Sequence, residues 1–266
     1  MTSPGDRAVY GAGPVRELIA RRAKTIRAVW VDPQRAGRST SDPVAAIVVA
    51  ARAAGIRVED RDRKALDHAA GPDARHQGVI AWLGAFDYVE IAAMVPDAGP
   101  ALLLALDGVE DPRNLGAILR SAYLLGADGV IIPEHRAAQV TAIVAKASAG
   151  ASELVAIAQV GNLVRALAEL RELGLWRVAV AATEGAQPIA TIDGTLPLCL
   201  VLGAEATGVR PLVAKHCDFH AIIPMAEGRG AIGSFNVSVA ASLALYEVRR
   251  QREGQGKGQG KGQGKG

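Results

Sequence analysis

Only two cysteines, Cys199 and Cys217, occur in 266 residues, and Cys199 stands inside an apolar strand pattern. So few thiols exclude a disulfide framework and a zinc cluster and point to a reducing cytoplasm. No apolar run approaches the ~20 residues of a membrane-spanning helix. Met1 to Arg7 is polar and holds no secretory h-region. Several catalytic signatures are missing as well. There is no Gly-x-x-x-x-Gly-Lys-Ser/Thr loop, which argues against a P-loop NTPase. Gly11-Ala12-Gly13 lacks the third glycine of a dinucleotide fingerprint and follows no convincing strand, which weakens the case for a nucleotide-dependent oxidoreductase. No Gly-x-Ser-x-Gly elbow appears. The five histidines, His68, His76, His135, His216 and His220, show no metal-ligand spacing, so no metal is expected.

What is present is a chain that is 50% hydrophobic, able to form a sizeable core in one large or two ordinary domains. The net charge of +3 hides an asymmetry. Residues 1–83 carry a balance of +5, residues 84–251 a balance of −5, and residues 252–266 a balance of +3. Basic ends around a mildly acidic middle suit a polyanion met by the amino-terminal part, though a chance fluctuation of surface charge fits nearly as well.

The pattern predicts a small α/β domain over 1–83, with helices at Gly13 to Arg22 and Pro43 to Ala54 and strands at Ile26 to Val31, Ile56 to Glu59 and Gly78 to Trp82. Residues 84–100, with Pro96 and Pro100, read as a linker. From 101 to 251 apolar strands (101–107, 129–132, near 154–157, 176–182, 198–202, 219–223) alternate with helices (114–125, 138–148, 161–173, 209–215, 236–250). That alternation predicts a parallel sheet covered on both faces. The tail 252–266, built on Gly-Gln-Gly-Lys, has too little to bury and is expected to be disordered.

Three polar turns follow apolar strands. Leu104-Ala105-Leu106-Asp107 leads into Asp111-Pro112-Arg113-Asn114-Leu115-Gly116, with Arg120 and Ser121 further on. Leu198-Cys199-Leu200-Val201-Leu202 leads into Gly203-Ala204-Glu205-Ala206-Thr207-Gly208. Ile223-Pro224-Met225 precedes Ser234-Phe235-Asn236-Val237-Ser238-Val239-Ala240. Such polar side chains are either helix caps or ligand contacts, and three turns of one kind predict a composite site at the carboxyl ends of a sheet. Asn114 occupies an N-cap position. Arg120 reads either as a surface ion-pair partner or as an anion contact. Glu205 reads as a cap or a site acid.

These segments resemble the motifs of the SpoU family of RNA ribose 2′-O-methyltransferases, in the SPOUT superfamily. Asn114-Leu115-Gly116-Ala117-Ile118-Leu119-Arg120 is similar to its Asn-x-Gly-x-x-x-Arg motif, and Gly203 to Gly208 to its Gly-x-Glu-x-x-Gly motif. Ile223-Pro224-Met225 and Ser234 to Ala240 resemble its third motif. Val9-Tyr10-Gly11, His76-Gln77-Gly78-Val79, Asp107-Gly108-Val109 and Gly150-Ala151-Ser152-Glu153 resemble the subgroup that modifies a guanosine of 23S ribosomal RNA, so that the likeness covers roughly residues 8–251.

The resemblance implies a knotted SPOUT methyltransferase domain over 101–251 and an L30e-like RNA-binding domain before it. It implies S-adenosylmethionine as donor, ribosomal RNA as substrate, a homodimer with its site near the subunit interface, and neither metal nor membrane. It places Gly203, Ile223 and Phe235 in the donor pocket with Thr183 at its edge, and gives catalytic roles to Arg120, Asn114, Glu205, Ser234 and Asn236. Transfer RNA guanosine is the alternative substrate, and a non-catalytic RNA binder the alternative class. Two departures stand out. Phe235 replaces the family's leucine, and 226–233 is about three residues longer than the common form.

Overall fold

The computed structural model describes residues 7–37, 41–71, 74–183, 185–204, 207–226 and 233–258, the last four of these for their backbone alone. It divides into two compact units.

The first unit begins with β1 (Arg7–Tyr10), α1 (Ala12–Arg22), β2 (Ile26–Val31), α2 (Pro33–Ala36), α3 (Pro43–Ala53), β3 (Arg57–Asp60), α4 (Arg63–Ala70) and β4 (Val79–Leu83). Local chemistry sets the helix starts. Asp32, Asp42 and Asp62 each accept a backbone N–H of the first turn, and proline occupies the first helical position of α2 and α3. The strands lie in the order β1-β4-β2-β3, with β2–β3 parallel and the β4 pairings antiparallel. Leu18 of α1 and Val44, Ile47 and Ala51 of α3 pack on Val29, Val31 and Ala81. On the other face Leu66 and Ala70 of α4 cover Ile80, flanked by Trp30 and Trp82.

This unit runs to Asp87 and also takes in Val140–Leu154, whereas the sequence pattern ends it at 83 and assigns 140–154 to the second domain. The segment packs on β1 and α1, with Gly150 against Val9 and Pro14, and a long-range ion pair joins them. The Arg7 guanidinium donates to Glu153 Oε1 at 2.7 Å, with both side chains almost fully buried. Burial raises the Glu153 carboxyl above its ordinary range, against the lowering pull of Arg7.

The second unit carries β5 (Leu102–Asp107), α5 (Pro112–Leu125), β6 (Gly129–Pro133), β7 (Ala156–Val160), α7 (Leu163–Glu172), β8 (Trp176–Val180), β9 (Gln187–Pro188), β10 (Leu198–Gly203), α8 (Pro211–Ala214), β11 (Phe219–Ile222) and α9 (Val237–Gly258); α6 (Ala142–Ala147) belongs to the first unit. Seven strands form one sheet, β7-β6-β5-β10-β8-β11-β9, parallel at every pairing. β10 inserts between β5 and β8, both of which precede it in the chain, and its residues are buried as far as Leu202. Both faces are covered, as a parallel sheet requires. No helix among the described residues is long and apolar enough to cross a membrane.

Two expectations are corrected here. The stretch 84–100 is not a free linker from Tyr88 onward. Val89 N–H donates to Ile157 O at 2.9 Å, and Ile91 and Met94, in a short 3₁₀ turn, are buried in the core of the second unit. Prolines mask those two apolar anchors in the sequence. The helix α9 also reaches Gly258, into the stretch that the sequence pattern assigns to the tail. Arg252 donates to the carbonyls of Gly194, Pro100, Ala101 and Leu196, which pins the helix past its last apolar residues. The remaining tail, 259–266, lies outside the described residues.

Candidate functional site

The carboxyl ends of β8, β10 and β11 open into a cavity of about 330 Å³. Its wall includes Val180, Leu202, Gly203, Ile222, Ile223 and Met225, closed by Ser234, Phe235 and Val237 before and at the start of α9. Gly203, Ile223, Phe235 and Thr183 all line it, and so does Ser234. No charged side chain is among its described lining residues. The turn after β10 explains why residue 203 is glycine. A Cβ there would lie 1.9 Å from the Gly208 carbonyl carbon and 2.1 Å from Val209 N, because Gly208 N–H folds back onto Ala204 O at 2.8 Å.

Beside this cavity α5 packs on α9 through polar contacts set in an otherwise apolar interface. Asn236 Nδ2 donates to Asn114 Oδ1 at 3.1 Å. Asn236 Oδ1 accepts the Ser238 N–H at 3.0 Å and its hydroxyl at 2.6 Å, so Asn236 caps α9. About two turns further along the hydroxyls of Ser121 and Ser242 meet at 2.7 Å. Asn114 is not the cap of α5, contrary to the sequence reading. Asp111 is, accepting the Arg113 N–H at 2.8 Å, and Pro112 opens the helix. Asn114 therefore lies inside the first turn, with its side chain turned to α9. Gly126, at φ 78°, ends α5 in the left-handed conformation that glycine tolerates best.

Arg120 is exposed on α5 and lines neither this cavity nor the larger groove described below. It forms no hydrogen bond or ion pair among the described residues. It shares a helix face with Leu124, four residues on, which is also exposed. Glu205 lies outside the described residues. Neither cysteine is poised as a nucleophile. Burial drives the Cys199 thiol far above its usual range and pushes Cys217 up to about 12.

Sequence reasoning missed one pair. Asp107, the last residue of β5, has a fully buried side chain. Its Oδ1 accepts Arg210 Nε at 2.7 Å and its Oδ2 accepts the Arg210 backbone N–H at 2.8 Å. The available signal was an acid closing a strand whose every other residue is apolar.

Residues 101–246 match the model of the SpoU rRNA methylase family. The chain belongs to that family. Residues 8–89 of this SpoU methylase match a second model, described as RNA 2′-O ribose methyltransferase substrate binding. The chain is 38% identical to the 23S rRNA (guanosine-2′-O-)-methyltransferase RlmB of Pseudomonas aeruginosa, over 92% of this chain and 96% of that one. It is 41% identical to YacO of Bacillus subtilis, named as a TrmH family tRNA/rRNA methyltransferase, over 79% of this chain and 84% of that one. The fold matches the SpoU methyltransferase AviRb from Streptomyces viridochromogenes, solved in complex with AdoMet, with a TM-score of 0.73 at 24% identity over 94% of this SpoU methylase and 92% of AviRb.

Proposed function

We propose that this SpoU methylase transfers a methyl group from S-adenosylmethionine to the ribose 2′-hydroxyl of a guanosine in 23S ribosomal RNA, in the cytoplasm. The observation that carries this reading is the cavity at the ends of β8, β10 and β11, lined by the motif residues Gly203, Ile223, Ser234 and Phe235 and bordered by the Asn114–Asn236 pair. The substrate follows the RlmB relative, which nearly the whole chain matches. A separate amino-terminal unit, basic in balance over 1–83, supports RNA capture.

The cavity residues suit the donor. Apolar walls from Leu202, Ile222 and Ile223 accept an adenine ring, and small residues (Ala181, Ala182, Gly203) let a ligand approach the backbone. No described charge on the wall opposes a cation. When bound, the donor supplies an electrophilic methyl on a sulfonium. Gly203, Ile223 and Phe235 would hold it, with Thr183 at the rim. Asn114, Ser234, Asn236 and Glu205 orient the ribose, so that attack is in line. Arg120, which holds its proton too tightly to act as a base, clamps phosphate and stabilises the forming alkoxide. The threading of the chain around the inserted β10 is proposed to form the family's knot.

The same reading makes the protein a homodimer. Val239, Leu243 and Tyr246 recur at helical spacing on the outer face of α9, and all are exposed together with Leu124 of α5. Monomers rarely leave such a stripe open to water. A second copy seated there brings Arg120, next to Leu124, to the partner's site. Replacing both Leu243 and Tyr246 by Asp is expected to convert a dimer into a monomer in sedimentation velocity; a monomeric parent protein would contradict the assignment.

Donor binding is tested by calorimetric titration with S-adenosylmethionine. Transfer is tested with tritiated donor on ribosomal and transfer RNA. One site per chain and label in 23S RNA are expected. Label in transfer RNA alone would replace the substrate, and no binding would leave a non-catalytic RNA binder.

A further inference from the structure

A second opening adjoins the donor cavity and is the larger of the two. It is a groove of about 1170 Å³ at the carboxyl ends of β5 to β7, and it shares Ala204, Thr207 and Val237 with the smaller cavity. Asn114 lies on its wall. Its charge is mixed. Arg210, His135 and Arg136 contribute basic groups, and Glu110 and Asp111 acidic ones. A nucleotide presents both kinds of partner, phosphate oxygens and base N–H groups.

Arg210 is the distinctive residue. Its side chain is 56% exposed, yet its partner Asp107 is 0% exposed. Asp107 holds it at Nε and Nη2 and holds the backbone N–H of the same residue as well. A guanidinium has five N–H donors in a fixed plane, so those on Nη1 stay available. A long side chain normally loses rotamer freedom when it grips an anion. Here a buried carboxylate has fixed the geometry in advance, so little is lost on binding. Because Asp107 is fully buried, the pair also holds the end of β5 to the turn before α8, and removing its cationic partner carries a stability cost. The half-exposed guanidinium face is what remains open to a ligand.

We propose that Arg210, pinned by Asp107, grips a backbone phosphate of the RNA that enters this groove beside the nucleotide being methylated. The proposal rests on the RNA methyltransferase reading. Asp107 is a positioning residue. Arg210 sets where the strand lies, so that the target ribose faces the donor cavity.

The test is Arg210→Gln, which keeps a donor for Asp107 and removes the charge. Binding of a 23S RNA fragment is followed by fluorescence anisotropy over a salt series, and turnover is measured beside it. The variant is expected to bind RNA ~10-fold more weakly, with the slope of log affinity against log salt reduced by about 0.7 to 0.9, the value of one phosphate contact. KM for RNA rises in parallel, and S-adenosylmethionine affinity is unchanged. Arg210→Lys, which keeps charge without the pinned fork, should fall between the two. A folded Arg210→Gln protein with unchanged RNA affinity and salt slope overturns the proposal, as does a fall in melting temperature as the only effect. If the parent protein binds the fragment but transfers no methyl, the enzymatic reading fails while the salt slope still decides the role of Arg210. If the parent does not bind RNA, both fail.

Discussion

Arg120→Ala is expected to lower methyl transfer on the order of 10²–10³-fold, the usual effect of deleting one donor that stabilises developing negative charge. Donor affinity in calorimetry should stay within about 2-fold, because Arg120 does not line the donor cavity. That placement makes the prediction sharper. Within one chain Arg120 stands exposed on the face of α5 that also carries Leu124. On the proposed reading it serves the reaction by reaching the site of a second copy, and the alternative is that it acts within its own subunit. Mixed dimers separate the alternatives. One subunit carries Arg120→Ala and the other carries a donor-cavity defect. If Arg120 acts across the interface, such a dimer keeps one complete site and regains part of the activity that neither homodimer has. If it acts within its own subunit, no complete site exists and activity stays lost. Full activity in the Arg120→Ala homodimer would remove the residue from the mechanism.

Gly203→Ala supplies that cavity defect and is the second large effect. The added methyl would sit 1.9 Å from Gly208 C and 2.1 Å from Gly208 O, both backbone atoms with no rotamer to give way. The turn after β10 has to open. Overpacking of this kind costs about 1–3 kcal/mol and occasionally more. The displaced segment, Gly208 and Val209, is itself part of the cavity wall, so donor binding suffers along with stability. Calorimetry with S-adenosylmethionine is expected to show at least ~100-fold weaker binding, and methyl transfer should fall below detection. Thermal unfolding should report a lower midpoint with the transition still cooperative. A folded Gly203→Ala protein with the parent's donor affinity would mean that this turn does not shape the pocket.

The inner strands were legible because a parallel sheet buries them on both faces. Leu102 to Asp107 and Leu198 to Leu202 are near-continuous apolar runs, with turn residues at their carboxyl ends. The helices covering them showed their apolar spacing, and two of the three polar turns, after β10 and before α9, fall at the cavity, while the turn after β5 lines the larger groove. Short or polar elements escaped. β1 has four residues, β9 two, and α4 hides its buried Leu66 and Ala70 among charges. The unit boundary escaped for a different reason. Glu153 lies 146 residues from Arg7, and no local pattern announces a pairing at that separation. Arg210 and Asp107, 103 residues apart, were hidden in the same way. Asn114 reads as a cap from sequence, but the cap is Asp111, followed by a proline that itself begins the helix.

The most direct measurement is a nucleotide-resolution map of ribose 2′-O-methylation in total RNA from cells with and without the gene. One guanosine of 23S ribosomal RNA should lose its methyl group in the deletion, regain it with the intact gene, and stay unmethylated with the Arg120→Ala gene. An unchanged map, or a lost methyl restored equally well by Arg120→Ala, would contradict the assignment of this cavity and its neighbouring helices to ribose methylation.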